Sequence, residues 1–340
     1  MHIQSLVGGS KFGAVVTGLC VQQVCHDGSV RENLRELFVE RGGLLVVRGM
    51  TDMSAVDMVD ACSAFGEVDR ELDSTQKDFC VDGEPGVLRI GNVRDVSGKP
   101  ISANAVSAPL HGSPQYDIET QSPVWHTDGV YREKPPVGSA LLCVRAPPSG
   151  GATCFADATK AYEDLEPQMK DHFESLEALA SLTHHDTKVH KRGSPDYPLP
   201  TAADRIKNPV RRVPLVLTHP LSKKKALYGL NSGTFAVLPK GTPMSEEDLD
   251  RFELTGEEHP SVFENLKKYL PTFTDPQKYS LAHQWQPGDL LIWDNRCTIH
   301  AATGFDANNY TREMWRVTIN NDHHDSHSSS EIEISSEDEE

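Results

Sequence analysis

The tripeptide His126-Thr127-Asp128 and the remote His300 constrain this 340-residue chain more than any other feature. Side chains two apart on a strand point to the same side, so His126 and Asp128 can reach one point in space. His300 has to arrive there on a strand remote in sequence, which asks for a fold that gathers distant strands around one centre. Two imidazoles and a carboxylate on one face of a metal ion leave its other positions open, as non-haem Fe(II) oxygenases require for a chelating co-substrate and dioxygen. A bare His-x-Asp pair carries little weight among fifteen His; its surroundings carry more. Arg312 follows His300 by twelve residues and Arg316 comes four later, in Thr311-Arg312-Glu313-Met314-Trp315-Arg316-Val317-Thr318-Ile319. Read as a strand, this run places Arg312, Met314, Arg316 and Thr318 on one face, with the two Arg about 13 Å apart at ~3.3 Å per residue. Guanidiniums inside a barrel are costly unless anions meet them, and Arg grips a carboxylate through two parallel hydrogen bonds. Without a permanent acidic partner Arg316 would favour an anionic substrate; paired with a structural acid or with the chelating co-substrate itself it would not. The sequence leaves these two readings open.

Five blocks carry a family resemblance: Trp125 to Asp128; Pro147-Pro148-Ser149-Gly150-Gly151-Ala152-Thr153; Gly288-Asp289-Leu290-Leu291-Ile292-Trp293-Asp294-Asn295-Arg296; His300; and Arg312 to Ile319. In this order they resemble the taurine / 2,4-dichlorophenoxyacetate dioxygenase family, and they span most of the chain. The resemblance implies Fe(II), 2-oxoglutarate and O₂, with release of succinate and CO₂. It implies that His126, Asp128 and His300 hold iron, that Thr153 and Arg312 bind the distal carboxylate of 2-oxoglutarate, and that Arg316 lies near the acid group of a substrate. Ile90-Gly91-Asn92-Val93 and Gly98-Lys99 are similar to the phenoxyacetate side of the family, which makes Asn92 and Lys99 candidate substrate-binding residues. In halogenating relatives a small residue stands at the carboxylate position; Asp128 points instead to hydroxylation or another oxygen-derived oxidation. The Cys-rich N-terminal zinc module of the carnitine-biosynthesis relatives is absent from the sequence.

The rest of the chain fits a mainly β fold with flanking helices, the double-stranded β-helix (jelly roll) of cupins and dioxygenases. Length allows one large β-rich domain, placed at 1–321. Phe12 to Leu19, Leu44 to Val47, Leu290 to Trp293 and Met314 to Ile319 read as strands, and Val213 to Thr218 and Lys225 to Tyr228 as two more. Leu141 to Arg145 and Thr153 to Phe155 read as paired strands around the Pro147 to Gly151 turn. Ser29 is expected to cap a helix through Phe38, and Ser54 to Phe65 to form a second. A helical connector is expected from Asp157 through Leu176, and helices Ser245 to Phe252 and Ser261 to Tyr269 inside an insertion over 236–275. From Ser74 to Pro123 the chain is irregular and rich in Gly, Pro, Ser and Asp, read as a lid over the iron site.

Net charge is −17, and eight acids without a Lys or Arg fall in the last nineteen residues. That balance argues against a nucleic-acid partner, and 322–340 is expected to be a disordered acidic tail. No apolar run approaches the ~20 residues of a membrane span, nor does the N-terminus carry a secretory signal. Seven scattered Cys without Cys-x-x-Cys argue against a disulfide framework or zinc ribbon. The expectation is a cytoplasmic protein acting on a small-molecule substrate, with homo-oligomerisation left open. His184-His185-Asp186 with His190 is read as a polar strand end or loop rather than a second metal cluster, and His323, His324 and His327 as part of a solvated tail.

The function expected is therefore a non-haem Fe(II)/2-oxoglutarate-dependent dioxygenase that oxidises a small carboxylate or sulfonate. The alternatives are the same chemistry on a purine (xanthine-type) or an amino acid, a catalytically silent 2-oxoglutarate sensor, or a cupin-like binding module. The last would leave the Arg312/Arg316 pair unexplained.

Overall fold

Two sheets face each other across an apolar layer, and the candidate ligands sit where their strands meet. The computed structural model describes residues 1–6, 11–71, 77–102, 116–117, 122–191 and 199–321. The larger sheet has nine strands. Along its main path they run His2–Ser5, Ala14–Thr17, Leu44–Val47, Leu290–Asp294, Gly138–Arg145, Glu313–Asn321, Glu84–Gly91 and Cys80–Val81, with Glu67–Val68 also paired to Glu313–Asn321. The smaller sheet is Ser280–His283, Thr153–Asp157 and Thr298–Ala302.

The large sheet is covered on both faces, and its central strands read as unbroken apolar runs because each residue type has a buried face to occupy. Alternate side chains sort accordingly. Leu44, Val46, Leu141, Cys143, Leu291, Trp293 and Met314 meet Phe155 and Leu281 of the small sheet. Leu45, Val47, Ala140, Leu142, Leu290, Ile292, Val317 and Ile319 face outward onto the helices Val21–His26, Gly28–Glu40 and Ala55–Cys62. Residues Ala156, Ile299 and Ala301 on the far side of the small sheet pack with the helices Ala158–Glu163 and Pro167–Glu174 and with a further three-stranded sheet, Arg211–Pro214, Leu176–Ala180 and Thr234–Pro239. This is the expected jelly roll with flanking helices. Among the described residues no helix is long and apolar enough to cross a membrane.

Several local expectations are corrected. Gly138–Arg145 and Thr153–Asp157 are not paired but lie in opposite sheets; Gly150 and Gly151, both at positive φ (72° and 64°), turn the chain from one layer to the other. Part of the stretch expected to be irregular is a full sheet strand, Glu84–Gly91, paired with Glu313–Asn321. Its Pro85 and Gly86 masked the strand pattern. Residues 74–76, 103–115 and 118–121 of the expected lid, and the tail from 322, lie outside the described residues. The connector ends sooner than expected, since Leu176–Ala180 is a strand. Asp27, not Ser29, caps its helix, accepting from the amides of Ser29 and Val30.

His184, His185, Asp186 and His190 lie on a helix, Leu182–Lys191, rather than a strand end. Its buried stripe is Thr183, His184, Thr187 and Lys188, a helical spacing without apolar residues, so hydrophobic periodicity could not reveal it. The helix is anchored by Glu258, whose carboxylate meets Lys188 Nζ at 2.5 Å and Lys267 Nζ at 2.8 Å. Burial alone would raise the Glu258 pKa, yet the two ammonium groups bring it down from 4.5 to about 2. A depressed carboxyl pKa contributes stability that is complete above the unfolded value and lost as pH falls through the folded one. Glu258→Gln is therefore expected to cost on the order of 3 kcal/mol at neutral pH. The difference from the parent protein should close as pH falls from 4.5 to about 2, read by urea unfolding across that range.

Candidate active site

A single backbone bridge sets the site. The N–H of His126 donates to the carbonyl of His300 and the N–H of His300 to that of His126, both at 2.9 Å. Two histidines far apart in sequence are thereby held opposite each other, with ring centroids 4.2 Å apart. Asp128, two residues on, points to the same side. Thr127 between them is locked from the other direction: its N–H donates to Leu230 O at 2.7 Å and its carbonyl accepts from Asn231 Nδ2 at 2.7 Å.

One ligand atom from each of His126, Asp128 and His300 falls within 4.8 Å of the others. Asp128 Oδ1 is 3.6 Å from His126 Nε2 and 3.7 Å from His300 Nε2. These distances are too long for hydrogen bonds. They are close to the roughly 3–3.5 Å that separates ligands each ~2.1 Å from a common ion. The remaining polar atoms agree with that use. His126 Nδ1 lies 3.0 Å from Val124 O, so it carries the proton and leaves the Nε2 lone pair facing inward. Asp128 Oδ2 accepts from Ser139 Oγ at 2.9 Å and forms an ion pair with Arg316, whose Nη2 lies 3.0 Å away, which leaves Oδ1 toward the imidazoles. Burial alone would raise the Asp128 pKa, but Arg316 and the two imidazoles hold it well below the usual carboxylate range. Burial and the neighbouring His126 push His300 down to about 3. Asp128 and His300 thus stand ready as carboxylate and neutral imidazole, the forms that bind a divalent metal. The His300 ring is stacked on Phe155, with centroids 5.9 Å apart, and tilted against Trp293 at 4.9 Å.

The expectations for the second arginine divide here. Arg316 has its acid in Asp128, so the reading in which it lacks a permanent partner is corrected. Arg312 has none: among the described residues its side chain makes only the bond from Nε to Gly151 O, 3.2 Å. Burial pushes this guanidinium down to about 10, the mark of a cation placed where solvent does not support it. A side chain at Gly151, whose φ is +64°, would press on Pro147 and on Arg312 Cδ. Thr153 follows two residues later, buried, its Oγ1 accepting from Trp285 Nε1 at 3.0 Å. With its acceptor side occupied, the hydroxyl has its proton free to give to an anion. Thr153 shares a strand face with Phe155, whose register partner is His300.

Asn92 and Lys99 are not among the groups that converge on Asp128. The Asn92 side chain is engaged with the backbone of 307–312, and Lys99 is exposed on a tight turn closed by Asp95. Sequence reasoning missed Ser139 and Trp285. It also missed the pair formed by Tyr131, stacked on His185 with centroids 6.1 Å apart, and Ser232, whose Oγ lies 2.6 Å from His185 Nδ1. Burial, Lys188 and His126 bring His185 down to about 4, so this helix histidine is a neutral polar group beside the site. A second buried cluster, His219, Asp294 and Cys297, is structural. His219 Nδ1 accepts the amides of Leu221 and Ser222, its Nε2 lies 3.0 Å from Asp294 Oδ2, and Arg296 grips the same carboxylate at 2.7 and 2.9 Å.

Comparison with known proteins agrees with this geometry. The family described as "Taurine catabolism dioxygenase TauD, TfdA family" matches residues 4–318. The chain belongs to that family. It is similar to the alpha-ketoglutarate-dependent 2,4-dichlorophenoxyacetate dioxygenase of Burkholderia sp. (strain RASC), 26% identical over 90% of this chain and 91% of that enzyme. It is also similar to the alpha-ketoglutarate-dependent sulfonate dioxygenase of Saccharomyces cerevisiae, 28% identical over 55% of this chain and 39% of the other. The crystal structure of AAD-2 in complex with Mn(II) and N-oxalylglycine has the same fold, with a TM-score of 0.64 and 21% identity over 94% of this chain and 96% of that one. The chain is thus an Fe(II)- and 2-oxoglutarate-dependent dioxygenase. Ser139→Ala removes the hydrogen-bond donor that, with the Arg316 ion pair, orients the Asp128 carboxylate, and is expected to weaken divalent-metal binding roughly 10–100-fold. Titration of the apoprotein with Mn(II), followed by the loss of free-ion EPR signal, measures it.

Proposed function

We propose that His126 Nε2, Asp128 Oδ1 and His300 Nε2 hold Fe(II), that Arg312 and Thr153 take the distal carboxylate of 2-oxoglutarate, and that the prime substrate is a small organic anion, a carboxylate or sulfonate. The observation that carries this reading is the division of labour between the two arginines. Arg316 is committed to Asp128, whereas Arg312 has no acid among the described residues and is held against Gly151.

The bound iron and its co-substrate supply oxidising power: 2-oxoglutarate, O₂ and a C–H bond give succinate, CO₂ and a C–OH group. The protein supplies position and charge. Ser139 and Arg316 fix the Asp128 carboxylate so that one oxygen faces the metal. Val124 O fixes the His126 tautomer. Arg312 anchors 2-oxoglutarate by its far end through charge-assisted hydrogen bonds, so that its keto acid end is carried to the open metal positions. Trp285, by donating to Thr153, leaves the threonine proton for the same carboxylate. Tyr131, His185 and Ser232 form a polar wall beside the site. The relatives that act on a phenoxyacetate and on sulfonates support an anionic substrate.

Arg312→Ala is expected to weaken 2-oxoglutarate binding strongly, and Thr153→Ala mildly, because a charge-assisted contact is worth roughly 1.5–3 kcal/mol against 0.5–1.5 for a neutral hydrogen bond. Titration of the anaerobic Fe(II) protein, following the metal-to-ligand charge-transfer absorption, measures both. For the substrate, aryloxyacetates and alkanesulfonates are expected to stimulate succinate release well above their methyl esters and amides. Equal stimulation by the neutral compounds would defeat the anionic reading, and no stimulation by any organic compound would favour a 2-oxoglutarate sensor.

A further inference from the structure

The stretch that delivers Arg312 is held at several points by the side chain of Asn92. Residues 303–312 join the strand carrying His300 to the strand carrying Arg316, and Arg312 is the last residue before the second of these. Asn92, immediately after the strand Glu84–Gly91, engages this stretch at four points. Its Oδ1 accepts the backbone N–H of Arg312 at 2.8 Å, and its own N–H donates to the Arg312 carbonyl at 3.2 Å. Its Nδ2 donates to Tyr310 O at 2.9 Å and to Ala307 O at 3.2 Å. The acceptor and both donors of the carboxamide are thus spent on main chain, and this orientation of the amide is the one that satisfies all three partners. Both polar groups of the Arg312 peptide unit are held by the same residue. The preceding Gly91, at φ +141°, allows the approach, since a Cβ there would fall 1.9 Å from Arg312 O.

The consequence falls on the arginine side chain. Its Nε is aimed at Gly151 O from a residue whose own N–H and C=O are both held by Asn92. We infer that Asn92 is a positioning residue for 2-oxoglutarate, acting through Arg312, and not a ligand of the prime substrate. This rests on the reading in which Arg312 binds the distal carboxylate. The role asks for one acceptor and two donors at the tip of a short side chain, which asparagine alone provides: aspartate lacks the donors, leucine lacks all three groups, and serine lacks the reach.

The test compares two 2-oxo acids on the anaerobic Fe(II) protein, each followed by its charge-transfer absorption. 2-Oxoglutarate has a distal carboxylate; 2-oxobutyrate has the same chelating end and none. Asn92→Ala is expected to weaken 2-oxoglutarate about tenfold and 2-oxobutyrate by less than about twofold, with Arg312→Ala weakening 2-oxoglutarate about a hundredfold. Equal weakening of both acids would show general damage to the site and overturn the proposal. So would an unchanged 2-oxoglutarate affinity in Asn92→Ala beside a strong loss in Arg312→Ala. An unchanged affinity in Arg312→Ala would instead defeat the reading of Arg312 on which the proposal stands. Should Asn92→Ala not fold, Asn92→Asp keeps the acceptor for the Arg312 N–H while losing both donors, and the same selective loss is expected of it.

Discussion

The Asp128 carboxylate is shared between protein and metal face, and the site depends on how that sharing is arranged. Oδ2 is held by a hydroxyl and a guanidinium; Oδ1 faces two imidazole nitrogens at distances that suit an intervening ion. Arg316 makes the arrangement affordable. It sits on the strand next to the one that carries Ser139, in register with it near that point, since Thr318 lies opposite Ser139. A buried carboxylate without this cation would take up a proton and cease to be a ligand. Charge balance within the sheet thus precedes, and permits, charge balance at the proposed metal site.

The two-layer fold serves this arrangement by bringing remote strands into one frame. His126 and His300 meet through a reciprocal backbone bridge, and the small sheet places Phe155 opposite His300 and Thr153 two residues further along. The central strand Leu290–Asp294 is pinned just before its start and at its end by two buried acids. Asp289 meets His283 and Arg48, while Asp294 meets His219 and Arg296. These satisfied ion clusters fix where the chain leaves the strand on its way to His300.

The metal face was legible in the sequence because its chemistry needs particular residue types in a particular order, and His126, Asp128, His300, Arg312 and Arg316 keep both. The central strands were legible because burial on both faces writes them as apolar runs such as Leu44-Leu45-Val46-Val47. What sequence could not show were partners defined only by register. Ser139 is one small residue in a strand, and its place beside Asp128 is set by neighbouring strands. Trp285 reaches Thr153 across paired strands, and His185 rides a helix whose buried stripe is polar. Asn92 was noticed as a candidate, but its engagement with the backbone of 307–312 could not be read, since motif context does not tell a side chain that meets a ligand from one that holds the backbone behind it. Whether Arg316 had an acid partner was likewise a question of packing.

The most direct test is a crystal structure of the protein with Mn(II) and N-oxalylglycine. The account predicts one ion bound by His126 Nε2, Asp128 Oδ1 and His300 Nε2, with Asp128 Oδ2 still on Ser139 and Arg316 and the far carboxylate of N-oxalylglycine on Arg312. An ion on Asp128 Oδ2, or a carboxylate seated on Arg316 with Arg312 left alone, would contradict it.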